Sequence, residues 1–352
     1  MKLASYVLRM AALRIAAAAA VLLGVLQILD LIEVTPDLVE RGLGFAGTLQ
    51  YVALRLPRLI DQAAPLAVLA GGLFTFMKLA GDSEVTAIRA AGVSAYRLAA
   101  LAMPVALAVA AIDVLAVEVV APRTDRALAA WWQETAPDQE TKSNVRAFRV
   151  GQEIVTAATE DLSGRTLEDV RIFRRDPDGR LTERIAADRA AWTGQDWRLD
   201  AAVFTRFTAQ GANSGQAGQM TWRPGFEPAD VQVLFSNAQT ISAASAGRAL
   251  MGDGAVRPPS YYATRLQRAF ASPLAAVVML LLTAPVALAS FRSSQGAGFV
   301  AGSIAAGLMF LVVDGLAAAL GESGAVSAVL AAWAAPAIFT ALATTVLIRL
   351  EG

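Results

Sequence analysis

The sequence predicts an α-helical membrane protein with an all-β domain inserted between two groups of three transmembrane helices. Three observations support this fold class. The 352 residues are 56% hydrophobic and 17% charged, and the apolar residues are concentrated in long runs. Residues 122–262 instead show short alternating segments separated by turn residues. Basic residues occupy alternate ends of the apolar runs, which gives the helices one consistent orientation.

Composition excludes several classes of function. The formal net charge is zero, so nothing indicates nucleic-acid binding. Cys and His are absent, which excludes thiol nucleophiles, disulfides, His-based metal sites and Ser-His-Asp chemistry. Lys142 is the one Lys followed by Ser or Thr, and it lacks the glycines of a phosphate-binding loop. We therefore expect no cofactor in this chain, and we expect a partner to bind any ATP and Mg.

Six spans are predicted, three in segment 1–121 and three in segment 263–352. The first covers residues 10–29, since about 20 residues cross a bilayer, and it leads into a short acidic loop at residues 30–40. The second runs from near Phe45 to Met77 with kinks at Pro57 and Pro65. The third covers 98–119 and ends at Ala121-Pro122. After a Gly- and Pro-rich linker at 247–259, the last three cover 266–289, 299–320 and 326–348.

The positive-inside rule orients these spans. Basic residues precede the first span, separate the second from the third, separate the fourth from the fifth, and follow the sixth. They are Lys2, Arg9, Arg14, Lys78, Arg89, Arg97, Arg292 and Arg349. We therefore expect both termini in the cytoplasm and residues 122–262 on the other side of the membrane.

The inserted domain, residues 122–262, is predicted to be a β-sandwich or jelly roll. Turn signals at 176–179 and 193–196 separate some of its alternating runs. A helical stub closed by Trp131 and Trp132 precedes them. Strands are predicted at 145–150, 153–158, 170–173, 185–192, 197–208, 218–222 and 231–235.

A short amphipathic segment, residues 82–94, separates the second and third spans. Ser83 suits a helix N-cap, Glu84 places negative charge at the positive helix start, and Gly92 suits the helix end. An ordinary cytoplasmic turn would satisfy the same pattern. However, Ser-Glu-Val-Thr-Ala-Ile-Arg-Ala-Ala-Gly-Val-Ser resembles the coupling-helix motif of the LptF/LptG family, the permease subunits of the lipopolysaccharide export machine. The resemblance implies that Glu84 contacts a separate cytoplasmic ATPase, with Arg89 and Gly92 in support.

The layout of six spans with a large insert after the third is also similar to that family. The hairpin formed by 186–192 and 197–199 resembles part of the Lpt β-jelly roll. Val313-Asp314-Gly315, Gly321 and the run 331–336 resemble the C-terminal signature of the LptG type. The paired prolines usual before the last span are missing, and Val326-Ser327 stands there, so the LptF type stays open.

The resemblance implies a multi-pass protein of the bacterial inner membrane with a periplasmic domain. Its implied partners are a homologous permease (LptF if this chain is LptG), a cytoplasmic ATPase dimer of the LptB type, and periplasmic bridge proteins of the LptC and LptA types. The implied cargo is lipopolysaccharide. The first and fifth spans would face the second permease and frame a side opening. An apolar groove including Val155, Phe173, Trp192 and Phe204 would carry acyl chains through the jelly roll.

Charged residues are predicted in the outer halves of three spans. Asp61 is in the second, with Arg55 and Arg58 preceding it at three-residue steps; Asp113 and Glu118 are in the third, and Asp314 is in the fifth. Because a charge facing lipid costs several kcal/mol, we expect these residues to line a polar chamber or to pair with each other. Arg58 with Asp61 or with Asp314 is the expected pairing in the second case.

In the family, this chamber takes lipopolysaccharide from the outer leaflet. The resemblance therefore implies that Arg55, Arg58, Asp61 and Asp314 bind the substrate, with Arg58 where the LptG type carries a basic residue. The family's first-span basic position is Gln27 here, and its next basic pair falls near Glu33 and Val34. These departures imply fewer phosphate contacts or a different head-group charge.

Two other functions would account for parts of the sequence. An intramembrane aspartyl protease would use Asp113 and Asp314 as a close carboxylate pair, but neither lies in a Gly-x-Gly-Asp context. A membrane receptor would use residues 122–262 as a sensor, but the sequence contains no cytoplasmic domain to receive the signal.

Overall fold

The computed structural model describes residues 2–81, 94–135, 145–150, 153–159, 164–176, 180–208, 211–225, 227–228, 231, 242–251, 257–288 and 295–351. The chain divides into two compact units. One comprises Met1–Thr124 with Ala263–Gly352, and the other comprises Asp125–Tyr262.

The first unit is helical. Helices α1 (Lys2–Glu40) and α2 (Gly44–Gly81) form a long hairpin, and α3 (Ala95–Val114) continues through a π-helix (Leu115–Val120) into α4 (Ala121–Glu134). The residues of α4 from Asp125 onward belong to the second unit. After the second unit and its helix α5 (Ala243–Leu250), the chain continues as α6 (Pro259–Ala271), α7 (Leu274–Thr283), a 3₁₀ turn (Ala284–Leu288), α8 (Gln295–Glu322) and α9 (Ala328–Glu351).

Five helices of the described chain are long and apolar enough to cross a membrane: Leu3–Glu40, Gly44–Gly81, Tyr96–Trp132, Gly296–Glu322 and Ala328–Leu350. A sixth span exists if the pair Pro259–Ala271 and Leu274–Ala287, bent by 50° at a short break, counts as one. A mostly helical membrane protein with five or six spans is therefore confirmed. The count of six stays a prediction.

The predicted acidic loop after the first span is wrong. Asp30, Glu33, Asp37 and Glu40 all belong to α1, and the turn is limited to the three residues before Gly44. Gly44 and Gly42 have φ of +58° and +66°, which suits the reversal between α1 and α2. Loss of hydrophobicity marks the end of the apolar run, but the backbone hydrogen bonds of a helix continue beyond it.

The predicted end of the third span at Pro122 is also wrong, because the helix continues to Glu134. The N–H of Ala121 bonds to the carbonyl of Ala116, five residues earlier. This wider π-type turn precedes Pro122 and accommodates it within a continuing helix. The predicted linker at 247–259 is helical in part, since α5 extends to Leu250.

Small residues allow the helices of the first unit to pack closely. A Cβ at Gly71 of α2 would lie 2.6 Å from the backbone nitrogen of Ile15 in α1, and a Cβ at Gly307 of α8 would lie 2.6 Å from the Leu69 side chain. Phe310 and Phe339 pack edge to face across α8 and α9, with ring centroids 5.5 Å apart. Such close backbone approach is typical of helices that associate within lipid.

The described residues of the second unit form an antiparallel sheet of six strands in sequential order. The strands are β1 (Arg146–Val150), β2 (Glu153–Ala158), β3 (Thr166–Arg175), β4 (Leu181–Trp192), β5 (Trp197–Thr208) and β6 (Gly211–Trp222). The predicted hairpin is confirmed, with Trp192 paired to Trp197. The predicted strand at 231–235 is wrong at Val231, which is helical, and its other residues lie outside the described ones. The described strands form a meander, and the jelly roll stays a prediction.

The sheet buries one face. Val155, Ile172, Ile185 and Phe204 are register partners across β2 to β5, and they pack in one apolar cluster that also includes Trp192 at its edge. Phe173 does not share this face, because neighbouring residues on a strand point to opposite sides. It pairs with Ile154 instead. The four residues predicted to line one groove are therefore divided between the two faces.

Candidate functional site

Three acidic residues of the helical unit lie at similar depth. Asp61 of α2, Asp113 of α3 and Asp314 of α8 are about 27 to 30 Å along their helices from the ends predicted to be cytoplasmic. This depth approaches the far boundary of a hydrocarbon core about 30 Å thick. The three residues and the basic side chains around them are called the charged cluster below.

Arg268 of α6 joins the cluster to α8. Its Nη2 donates to Asp314 Oδ2 at 2.9 Å, and its Nη1 donates to the Asp314 carbonyl oxygen at 3.2 Å. Both side chains are about 20% exposed. The structure thus joins Asp314 to an arginine from the fourth apolar segment, and the pairing of Arg58 with Asp61 or Asp314 stays a prediction.

Asp61 is the exposed member of the cluster. Arg265, Arg268 and Arg58 all lie close enough to act electrostatically on its carboxylate, and so does Asp314. Three arginines from α2 and α6 thus act on an acidic group that is exposed on the surface of the chain. Their charge balances that of the three aspartates, as a cluster within a membrane requires.

Asp113 is the buried member. Its residue is 7% exposed, and its Oδ1 finds no hydrogen-bond donor among the residues that the structure describes. Among the described residues, the charge of Asp61 acts on it. The cluster therefore has an interior carboxylate without a bonded counterion. The arrangement also lacks the Asp113–Asp314 pair that an aspartyl protease would need, because Asp314 is bound to Arg268.

Arg55, predicted to bind substrate, lies outside this cluster in a structural contact. Its Nε donates to Asp30 Oδ1 at 3.0 Å, and the Tyr51 hydroxyl donates to Asp30 Oδ2 at 2.8 Å. Gln27, one turn earlier on α1, has both amide atoms buried without a hydrogen-bond partner in the described part of the chain. A lipid phosphate at Arg55 would have to compete with Asp30.

Arg265 and Arg268 were missed by the sequence reasoning. The fourth span was predicted to begin at about Leu266, which places Arg265 just before it and Arg268 within it. The signal was present, since the two are three residues apart and share a helical face, as Arg55 and Arg58 do.

The predicted ATPase-coupling residues Glu84, Arg89 and Gly92 lie outside the described residues. The helix that follows begins with a side-chain cap, in which Ser94 Oγ accepts from the N–H of Arg97. Among the described residues, no group of three or more Asp or Glu is arranged to hold a metal ion.

The sheet carries a second candidate site on the face opposite its apolar cluster. A cavity of about 420 Å³ is lined by Ile154, Phe173, Arg175 and Leu181. It is mostly apolar with one cationic side chain at its wall. Such a surface suits the acyl chain of an anionic lipid.

Comparison with known proteins identifies the family. The model of the lipopolysaccharide export system permease family LptF/LptG matches residues 5–349. No curated protein matches the chain. The family match includes both units and the whole charged cluster, and it agrees with a multi-pass membrane protein whose role is transport rather than catalysis. The chain therefore belongs to the LptF/LptG family of lipopolysaccharide export permeases.

Proposed function

We propose that this chain is the permease subunit of an ATP-driven transporter of the bacterial inner membrane. It extracts lipopolysaccharide from the outer leaflet and passes it to a periplasmic bridge for outer-membrane assembly. The observation that carries this proposal is the exposed position of Asp61 and its surrounding arginines at the depth of the outer leaflet. A charged surface there is costly against lipid tails. It therefore faces a polar chamber that admits lipid head groups.

The arginines of the cluster supply the head-group site. Arg58, Arg265 and Arg268 present planar guanidinium groups, which bind phosphate oxygens through paired hydrogen bonds. Asp61 and Asp314 hold these arginines when no lipid is present. We place Arg55 in the contact between α1 and α2, where it pairs with Asp30, and not among the primary ligands of the lipid phosphate.

The uncovered faces of α1 and α8 support a homologous permease as partner. In the most apolar window of α1 only 6% of residues are buried within the chain, and in α8 the share is 17%, against 61% in α2. Five of the exposed apolar residues of α1 recur at spacings of three, four and seven residues, which is typical of helix–helix packing. They are Val21, Val25, Ile28, Ile32 and Val39.

The inserted domain provides the next part of the lipid path. Acyl chains cannot cross water cheaply, at about 0.8 kcal/mol per exposed methylene group. Among the described residues, the cavity beside Phe173 and the apolar face around Val155 and Phe204 are two apolar surfaces of the sheet. We place the acyl chains in the first, because the second is already filled by its own packed side chains.

An ATPase dimer that docks on residues 82–94 supplies the energy, with Glu84 at the contact and Arg89 and Gly92 in support. The LptG type is favoured by Val313-Asp314-Gly315, and the absence of paired prolines near Val326 keeps the LptF type as the alternative. Glu84→Ala should reduce co-purification of the ATPase or uncouple hydrolysis from export. Glu40→Ala, an exposed acid at the end of α1, is the matched control.

Reconstitution tests the whole proposal. The purified complex in proteoliposomes that contain lipopolysaccharide should transfer it to an added bridge protein only when ATP is present. A photo-crosslinker at Phe173 should capture lipid under the same condition. Transfer that does not depend on this chain, or capture that does not depend on ATP, would contradict the proposed path.

A further inference from the structure

We propose that Arg268 is a switch residue that alternates between two acidic partners, Asp314 in the state described above and the carboxylates of Asp61 and Asp113 in a second state. The exchange would separate α6 from α8 and bring it towards α2 and α3. The motion is a property of this chain alone. The use of this motion to admit lipid would rest on the proposed function, whereas the exchange itself does not.

The first step of the argument is the present state of Arg268. It makes two hydrogen bonds to one residue of α8, at 2.9 and 3.2 Å, so it fastens α6 to α8. The pair is about one-fifth exposed at each side chain. It is therefore neither fully buried nor free to exchange with bulk water, which suits a contact that breaks and reforms.

The second step is an acceptor that lacks a donor. Asp113 is buried and its Oδ1 has no hydrogen-bond partner in the described chain. A buried carboxylate without a partner costs free energy, which an arginine would recover. The charge of Asp61 acts on Asp113, and the charge of Arg268 acts on Asp61, so the three groups belong to one electrostatic cluster.

The third step is a hinge next to the arginine. The helix that carries Arg268 ends at Ala271, and the next begins at Leu274 with its axis turned by 50°. Pro273 stands in this break and has no N–H to continue the helical hydrogen bonds. A rotation of α6 at this break would carry Arg268 from one side to the other without disturbing α7. Few-residue breaks of this kind are typical hinges.

The fourth step concerns α3, which carries the acceptor. The π-helix Leu115–Val120 begins two residues after Asp113. Single π-helical turns are common at functional sites. A shift of this turn would rotate the preceding residues of α3. Asp113 therefore lies next to a segment whose shift can reorient the Asp113 side chain when Arg268 approaches.

A distance measurement tests this exchange, and the absence of native cysteine makes the labelling selective. Spin labels are attached to cysteines at Phe270 in α6 and Leu107 in α3, both exposed, in the full-length protein with its partner subunits in lipid nanodiscs. Asp314→Asn should release Arg268 and raise a second, minor distance population at least fivefold. Adding Asp61→Asn and Asp113→Asn to that variant should return the population to its original level.

The controls separate an exchange from general loosening. Glu118→Gln in place of the two aspartate substitutions should leave the second population intact. Labels at Leu107 and Leu342, which do not report on α6, should show one unchanged distance in every variant. If Asp314→Asn does not yield folded protein, Arg268→Lys replaces it, since one ammonium group cannot reproduce both bonds. An unchanged distance after release, or a second population that persists without Asp61 and Asp113, would overturn the proposal.

Discussion

The guanidinium of Arg55 lies 3.0 Å from the carboxylate of Asp30, with 26% and 12% of the two side chains exposed. This contact joins α1 to α2 beyond the most apolar part of both helices. It exists because α1 continues as a helix through the residues that its composition assigns to a loop.

The Arg55–Asp30 pair is expected to stabilise the α1–α2 hairpin. In a double-mutant cycle, Arg55→Gln and Asp30→Asn should show a coupling of about 1 kcal/mol in the free energy of unfolding, since both groups are largely withdrawn from solvent. Titration with SDS of the purified protein measures it. Pairing Arg55→Gln with Asp37→Asn is the control and should give additive effects. Additive effects in the first cycle as well would contradict this pairing and would favour Arg55 as a ligand of the lipid head group.

A row of alternating charges crosses four strands of the sheet. Arg174 binds Glu153 and Glu183 at 2.7 Å each, and Arg206 binds Glu183 at 2.8 Å. Burial opposes ionisation of Glu183, but the hydrogen bonds from Arg206 and Arg174 outweigh it and lower the pKa of Glu183 below its usual 4.5. Its stabilising contribution should therefore be complete above about pH 4.5 and be lost as the pH falls through the lower folded-state pKa.

Glu183→Gln should weaken the centre of the sheet by about 1–3 kcal/mol at neutral pH, because it leaves two arginines without their shared acceptor. Hydrogen exchange of β3 and β4 in the full-length protein, compared with the unchanged protein at each pH, measures this loss. The difference should shrink below about pH 4.5. Asp169→Asn, whose partner Arg171 is about half exposed, should change exchange little. A difference that stays constant down to pH 2 would refute the role of the carboxylate charge.

Close contact of α1 and α2 depends on Gly71. Gly71→Ala would force its new methyl group against the backbone of Ile15, which cannot yield as a flexible side chain can. We expect a loss of about 1–3 kcal/mol, visible as a lower melting temperature of the purified protein. A Cβ at Gly302 would have nothing within 4 Å. Gly302→Ala should therefore have the same melting temperature as the unchanged protein. Equal melting of the two variants would show that α1 and α2 are not held this closely.

The bent pair α6–α7 decides whether the chain has five spans or six. If the chain has six spans, Ser323 lies on the same side of the membrane as the inserted sheet. This residue stands between α8 and α9. Ser323→Cys should therefore react with an impermeant maleimide added to intact spheroplasts, because no other cysteine competes. Ala212→Cys, exposed on β6, is the positive control. Labelling of Ala212→Cys but not of Ser323→Cys would indicate that the bent pair does not cross.

Much of the fold is predictable because hydropathy and alternation are local signals. The hairpin at Trp192 and Trp197 could be predicted from its alternating residues and a turn sequence. The face of Phe173 could not, because register depends on which residue of the neighbouring strand it meets. The helical conformation at Asp30 could not be predicted either, since exposed polar residues occur both in loops and in helices that extend beyond a membrane.

The candidate site was predictable by depth but not by pairing. Counting residues along each span placed Asp61, Asp113 and Asp314 at one level. Finding Arg268 as a partner of Asp314 requires knowing which helices are neighbours in space. That information lies in contacts between distant parts of the chain, such as small residues meeting across helices, and not in the spans themselves.

The central claim is that the charged cluster faces the lipopolysaccharide taken up for export. A photo-crosslinking residue at Gln62, exposed beside Asp61 on α2, tests it most directly in living cells. Leu342 on α9, which is 47% exposed, is the matched position on an apolar surface. Immunodetection of lipopolysaccharide on the purified chain should show a strong adduct at Gln62 and little at Leu342. No adduct at Gln62, or equal adducts at both positions, would contradict the assignment of this cluster to the substrate.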